Sequence, residues 1–255
     1  MAESAILLDL GRCIGCQACV ASCKVGNELG EDQQYIQLVE KTHGEFPNLT
    51  GGFNNHRCYH CADAACVSVC PTGALYKEDG LTRLDRDVCS GCSYCTEACP
   101  YEVPVMWEGK SSKCDGCAAT TKAGGSPWCV TTCPSNALMY GTRDQIRAEA
   151  HKRAEAMRDR YPNAQVYGET QAGGLGMLVV TPDDPELLDI PIDPKKPFMA
   201  DAWQKVVQPG AVVLTLGTAV LAGAAAVISR KNHEQEMVIV EAEGLIRDSE
   251  ESEEG

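Results

Sequence analysis

The chain has 255 residues, a formal net charge of −14, 16 cysteines and only 5% aromatic residues. The acidic balance argues against a nucleic-acid or anionic-lipid surface, because phosphate binding needs clustered Lys and Arg. The cysteine density is below that of a short disulfide-stapled domain. With so few aromatic residues, something other than aromatic packing is expected to hold the fold together.

In chain order, Ala5–Asp9 (AILLD) reads as a strand, and the cysteines begin directly after it. All of them fall in the first 133 residues, in four groups of four. The first is Cys13, Cys16, Cys19 and Cys23; the second is Cys58, Cys61, Cys66 and Cys70. The third is Cys89, Cys92, Cys95 and Cys99. The fourth is Cys114, Cys117, Cys129 and Cys133, with eleven residues between its inner pair. Pro71, Pro100 and Pro134 follow three of the groups, whereas Lys24 follows the first.

The spacing C-x2-C-x2-C-x3-C-P is the bacterial ferredoxin signature for [4Fe–4S] clusters. A cubane offers four iron corners, each wanting a soft thiolate. Three cysteines in one tight loop reach three corners, and the fourth cysteine points away to the neighbouring cluster. Disulfides are a poor alternative, because cysteines three apart in a loop or helix pair badly. Zinc sites usually draw two close pairs separated by a longer stretch. The fourth group alone fits that description, so a zinc-binding structural protein is the competing class.

Between groups two and three, Asp79-Gly80 signals a hairpin turn between two short strands. Ala137–Tyr140 (ALMY) reads as a strand after the fourth group. Groups two and three therefore look like one ferredoxin unit, with groups one and four flanking it as the second. Exchanging last cysteines gives Cys13, Cys16, Cys19 with Cys133; Cys114, Cys117, Cys129 with Cys23; Cys58, Cys61, Cys66 with Cys99; and Cys89, Cys92, Cys95 with Cys70. Sequential pairing, one with two and three with four, stays open beside this nested order, which the strand pattern favours. Iron–sulfur clusters do one-electron chemistry, and four in a short chain make a wire.

Further on, Asp144–Arg158 is alanine-rich and charged, a helix with Thr142 as N-cap and Pro162 as its stop. Met177–Val180 reads as a strand. The preceding Gly-Gly-Leu-Gly lacks the Lys and the helix of a phosphate loop. Five prolines between residues 181 and 197 suggest an extended strap. Ala211–Ile228 carries no charge over 18 residues, about 27 Å as a helix, near the thickness of a bilayer core. Eight of those residues are Val, Leu or Ile, giving roughly −2 to −5 kcal/mol of insertion energy. The helix is thus marginal alone, and its small face at Ala219, Ala222, Gly223 and Ala226 suits packing on a membrane partner. Trp203 sits at one end and Arg230 and Lys231 at the other, while Lys195, Lys196 and Lys205 balance the charge count, so orientation is not fixed. The stretch from Glu234 holds nine acids and one base and reads as a solvated, mobile tail. The N-terminus has no apolar h-region, so a signal peptide is not expected.

The expected architecture is α+β. Residues 1–141 form two nested ferredoxin-like units carrying four [4Fe–4S] clusters, and 142–205 form a helix and Pro-rich strap. Residues 206–229 form one transmembrane anchor, and 230–255 an acidic tail. A self-sufficient enzyme is not expected: there is no nucleotide fingerprint, HExxH or nucleophile elbow, and His56 and His60 read as packing or hydrogen-bonding residues.

Taken together, the four groups, the eleven-residue gap and the C-terminal span resemble the iron–sulfur β subunit of membrane-bound formate dehydrogenases. The iron–sulfur subunit of hydrogenase-2-type uptake [NiFe] hydrogenases is closely similar. The stretches RYPNAQVYG (160–168) and PELLDIPIDP (185–194) and the pair Gly173-Gly174 match the former, while GTRDQIRAEAHKR (141–153) fits both. The resemblance implies a non-catalytic relay. Electrons would come from a subunit carrying a molybdenum or tungsten pterin or a nickel–iron site. They would pass through four clusters with the nested ligand pairing to an integral membrane subunit and its quinone. It also implies a single-pass membrane protein with its cluster domain outside the cytoplasm, exported with a partner that carries the signal. Lys24, where the other groups have proline, is the departure from the pattern.

Overall fold

A computed structural model describes residues 3–47, 49–198 and 208–253, divided into two units, 1–201 and 202–255. In the first unit, β1 (Ser4–Asp9) is the central spine. It pairs antiparallel with β8 (Leu138–Thr142) and parallel with β10 (Met177–Thr181), and β9 (Gln165–Tyr167) closes the other edge. The strand is apolar without alternation because both of its faces are covered. Ala5 and Leu7 face Ile146, Ala150 and Ala154 of the long helix α6 (Arg143–Met157). Ile6 and Leu8 face the opposite way, into a core that holds Cys23, Cys129, Tyr59, Tyr101 and Tyr167. One face of the sheet is thus a conventional sheet–helix interface, and the other is the floor under the cysteines.

Helix α6 starts where its sequence says it should. Thr142 Oγ1 accepts from the Gln145 backbone N–H and Gln145 Oε1 accepts from that of Thr142, a complete capping box. The helix ends at Met157, before Pro162 could stop it. Arg153 ties it to the sheet: its guanidinium donates to Asn136 O at 2.8 Å and lies 3.4 Å from the carboxylate of Asp9, both side chains being buried. Burial pushes the Asp9 carboxyl up from its usual range, and the charges of Arg153 and Arg12 offset part of that push.

Three two-stranded ribbons complete the unit. One is β4 (Leu75–Glu78) with β5 (Leu81–Leu84), turning at Asp79-Gly80 as the sequence predicts. The others, β2 (Gln37–His43) with β3 (Thr50–His56) and β6 (Val105–Trp107) with β7 (Lys110–Ser112), were not anticipated. The turn between β6 and β7 places Glu108 and Gly109 at positive φ, a tight-hairpin signature carried by an uncommon dipeptide. The Pro-rich stretch is not simply extended: Pro185–Leu188 forms a 3-10 turn that buries Leu188.

The second unit is one helix, α7 (Gln208–Glu253). Within it Val212–His233 is long and apolar enough to cross a membrane, and none of it is buried in the structure. The stretch expected as an acidic tail after residue 229 is helical as far as Glu253. The helix continues through residues 230–253, whose Glu- and Ala-containing sequence has no Pro to break it. Trp203 and Lys205, expected at the membrane boundary, lie outside the described residues.

Replacing Arg153 by Met leaves the Asp9 carboxylate without its buried partner. The expected loss is about 3–5 kcal/mol of stability, read as a lower urea midpoint by circular dichroism. Adding Asp9→Asn should recover part of it; equal midpoints for wild type and the single variant would contradict this account.

Candidate metal centres

The cysteines sit on loops that lead into very short helices. These are α1 (Ala18–Gly26), α2 (Ala65–Ser68), α3 (Tyr94–Ala98) and α5 (Trp128–Thr131). A fifth, α4 (Ala118–Lys122), follows Cys117. None except α1 exceeds five residues, too short to persist without tertiary support. The first two cysteines of each group are bent toward one another by a residue in the left-handed region directly before the second. In three groups that residue is glycine: Gly15, Gly91 and Gly116, with φ of 69°, 73° and 73°. In the second group it is His60, at φ 53°. At Gly91 a Cβ would also lie 2.2 Å from the carbonyl oxygen of Gly109 on the β6–β7 turn, so that loop and that turn are in direct backbone contact.

These loops gather the sixteen thiols into four tetrads. One small cleft is lined by Cys13, Cys16, Cys19 and Cys133. A second is lined by Cys58, Cys61, Cys66 and Cys99. A third is lined by Cys70, Cys89, Cys92 and Cys95. The remaining four, Cys23, Cys114, Cys117 and Cys129, are electrostatic neighbours of one another, and Asn27 Nδ2 reaches Cys23 Sγ at 3.5 Å and Cys117 Sγ at 3.9 Å. We label the tetrads A (Cys13, Cys16, Cys19, Cys133), B (Cys23, Cys114, Cys117, Cys129), C (Cys58, Cys61, Cys66, Cys99) and D (Cys70, Cys89, Cys92, Cys95).

The tetrads form a file. Cys19 of A feels the charge of Cys129 of B, Cys114 of B that of Cys58 of C, and Cys66 of C that of Cys95 of D. The strands explain the order. β1 enters group one and β8 leaves group four, and their pairing brings those two groups together around β4 and β5. Group two is tied to the same sheet from the other side: Gly176 N donates to His60 O at 2.9 Å and Met177 N to Tyr59 O at 3.1 Å. This explains the glycine at 176, where a Cβ would be 2.5 Å from Gly80 O and 2.8 Å from His60 Cβ.

The chemistry of the tetrads fits a metal group held by soft thiolates. Burial pushes the Cys23 and Cys66 thiols up to about 12, so neither would ionise at neutral pH without a cation at the sulfur.

The surroundings add groups that the cysteine spacing did not reveal. Arg57 is buried, and its Nη2 donates to Cys129 Sγ at 3.0 Å. Burial works against its charge, but Cys129, Cys114 and Cys23 outweigh this and raise its pKa. Lys113 is buried between tetrads B and C, donating to Thr82 O at 2.8 Å and Cys114 O at 2.7 Å. The sequence does carry a signal for them: Arg12, Arg57 and Lys113 each stand directly before the first cysteine of a group. Toward tetrad D, Ser111 N donates to Cys89 Sγ at 3.4 Å, and Cys95 Sγ donates to Ser111 Oγ at 3.3 Å.

The two histidines singled out by sequence serve structure. His56 Nε2 is 2.7 Å from Tyr101 O. His60 is fully buried, its Nδ1 accepting from Thr82 N at 3.1 Å, which leaves the proton on Nε2, 3.7 Å from Cys114 Sγ. Burial, with Lys113 and Lys77 nearby, keeps its pKa well below the usual range, so it is neutral.

Comparison with known proteins points the same way. A family described as "4Fe-4S dicluster domain" matches residues 49–143, and a second family of the same description matches residues 12–74. The chain is 43% identical over 146 residues to the thiosulfate reductase electron transfer subunit PhsB of Salmonella typhi, covering 55% of this chain and 76% of that one. It is 36% identical over 161 residues to the B subunit of the anaerobic dimethyl sulfoxide reductase of Haemophilus influenzae, covering 58% and 78%. It is 34% identical over 236 residues to the hydrogenase-2 operon protein HybA of Escherichia coli O157:H7, covering 73% and 72%.

Gly91→Ala tests the loop geometry. A side chain at positive φ, pressed on the Gly109 carbonyl, should displace Cys89 and Cys92 and cost the chain about one quarter of its iron. Iron analysis and visible absorbance of the purified protein read this directly. His60→Gly, which relaxes the equivalent position, should strain no backbone there; its iron content tells how far the imidazole itself matters.

Proposed function

The chain belongs to the family of 4Fe–4S dicluster electron-transfer subunits, and we propose on that premise that it is a non-catalytic relay. It would link a catalytic redox subunit to an integral membrane, quinone-interacting subunit. When bound, the four [4Fe–4S] clusters supply one-electron oxidation and reduction. The protein's part is to hold them by the four tetrads, A to D, and to keep neighbouring tetrads in a continuous file. The observation that carries the reading is that file: each tetrad lies beside the next, and all but two of the cysteines are buried or half-buried. At the ends, Cys16 of tetrad A and Cys92 of tetrad D are exposed, so charge can enter or leave there.

The catalytic partner in this reading is a molybdenum- or tungsten-pterin enzyme of the formate dehydrogenase kind, on the likeness of residues 160–168 and 185–194. A [NiFe] hydrogenase partner is the second reading, favoured by the length of the match to HybA, which extends well beyond the cysteine groups. Identifying the large subunit that co-purifies with the chain decides between them. A colourless protein rich in zinc and poor in iron would overturn both.

Val212–His233 is the anchor in this proposal. Val213, Leu214, Val220 and Leu221 are each about 70% exposed, a stripe that water would not tolerate over so long a helix. The cluster domain is placed outside the cytoplasm on the resemblance stated above, because the charges flanking the helix are nearly balanced.

Two outcomes follow. Cys95→Ser should remove or remodel the cluster of tetrad D, lowering iron from about sixteen per chain and stopping quinone reduction by the complex. The catalytic partner should still turn over with soluble artificial acceptors. Quinone reduction at the wild-type rate would count against the relay. A chain ended at residue 207 should be extracted from membranes by alkaline carbonate while the full chain stays; equal retention would remove the anchor assignment.

A further inference from the structure

Arg57 directly precedes Cys58 of tetrad C in sequence, yet its side chain turns away from that tetrad. Nη2 donates to Cys129 Sγ of tetrad B at 3.0 Å. The guanidinium is also an electrostatic neighbour of Cys23 and Cys114 in tetrad B and of Cys19 in tetrad A. It therefore stands at the junction of A and B. Its exposure is 2%, and two more of its nitrogens, Nε and Nη1, are buried without a hydrogen-bond partner in the protein. Buried donors of a charged group are seldom left unpaired, because desolvation then goes uncompensated. The guanidinium's one hydrogen-bond partner is a sulfur and four cysteines are its electrostatic neighbours, so acceptors belonging to a bound cluster would satisfy the remaining donors.

We propose that Arg57 is a positioning residue that sets the reduction potential of the cluster in tetrad B, with a weaker effect on that in A. This inference rests on the relay reading and on its assignment of tetrads to clusters. Reduction adds one electron to the cluster; no bond breaks, and the guanidinium keeps its proton. A fixed positive charge and convergent N–H donors stabilise the more negative reduced form over the oxidised one, which raises the potential. Burial strengthens the effect, because little water is present to screen it. Asn27, the other amide at tetrad B, offers only neutral and longer contacts, at 3.5 and 3.9 Å.

The test is an EPR-monitored redox titration of the whole detergent-extracted complex, with the tetrad B step identified by its loss in Cys117→Ser. In Arg57→Gln the reduced-to-oxidised ratio of that step, at fixed ambient potential, should fall at least tenfold. That is a shift of about 59 mV for one electron. The step of A should move less, and those of C and D should stay. Arg57→Lys, which restores the charge without the fork, should recover part of the shift. Full iron content in Arg57→Gln with an unmoved tetrad B step would overturn the proposal. If Arg57→Gln fails to assemble, pulsed EPR of the wild-type complex labelled with guanidino-15N arginine decides instead. A 15N coupling on the reduced tetrad B cluster is expected, and its absence overturns the proposal. Wild-type iron that does not titrate as cubane clusters would remove the relay reading as well, an outcome distinct from an intact file with an indifferent Arg57.

Discussion

The sulfur tetrads are what the rest of the cluster-binding unit depends on. Most of its helices are four or five residues long, and its ribbons have two strands each. Elements of that size do not hold themselves together in water. Their side chains do little to help, since many of the buried positions among them are the cysteines themselves. Metal ligation at four points per loop would supply the cohesion that an apolar core supplies elsewhere, which would couple folding to cluster binding. The left-handed residues before the second cysteines belong to the same constraint. A loop that must aim successive thiols at one centre has to reverse within two residues, and only a residue at positive φ lets it do so.

The four-stranded sheet sets where those loops stand. Because β1 is apolar on both faces, it can carry α6 on one side and the tyrosine- and cysteine-lined core on the other. Tyr59 stacks on Tyr101 at 4.4 Å between centroids, and Tyr101 Oη lies 2.8 Å from Tyr167 Oη, whose hydroxyl donates to Pro191 O. Three of the chain's tyrosines thus meet where group two, the end of group three and the strap after β10 come together. The low aromatic content raised the expectation that packing alone would not hold the molecule. It gave no sign that three tyrosines would weld these segments.

Much of this was legible in the sequence, for identifiable reasons. The strands at 5–9, 137–140 and 177–180, the hairpin at Asp79-Gly80 and the capped helix after Thr142 all carry local signals, and each lies within two residues of where it was expected. The nested order of the cysteine groups was read from the strands around them. What escaped was decided by partners distant in sequence. The β2–β3 ribbon pairs polar segments such as GlyGlyPheAsnAsn with no alternation to read. His60 was read as a packing or hydrogen-bonding residue, but nothing local reveals that it occupies the position glycine holds in three sister loops. The continuation of α7 past residue 229 was missed because acidic composition was taken as a sign of disorder, although Glu and Ala also favour a helix.

Charge is where composition misleads most. A chain with a net charge of −14 seems to have cations to spare only for its surface. Yet Arg57, Arg83 and Lys113 are all buried. Arg83 donates to Asp115 O at 2.7 Å and to Thr121 Oγ1 at 3.1 Å, bracing the group-four loop, while Arg57 and Lys113 stand at the A–B and B–C junctions. A tetrad of buried thiolates around a cluster is an anion in a poorly solvated place, and such an anion needs a counter-charge close by. Spending basic residues inside leaves the exterior more acidic than the ligand chemistry alone would make it. The overall charge therefore says less about what this surface binds than about how much negative charge the interior has to carry.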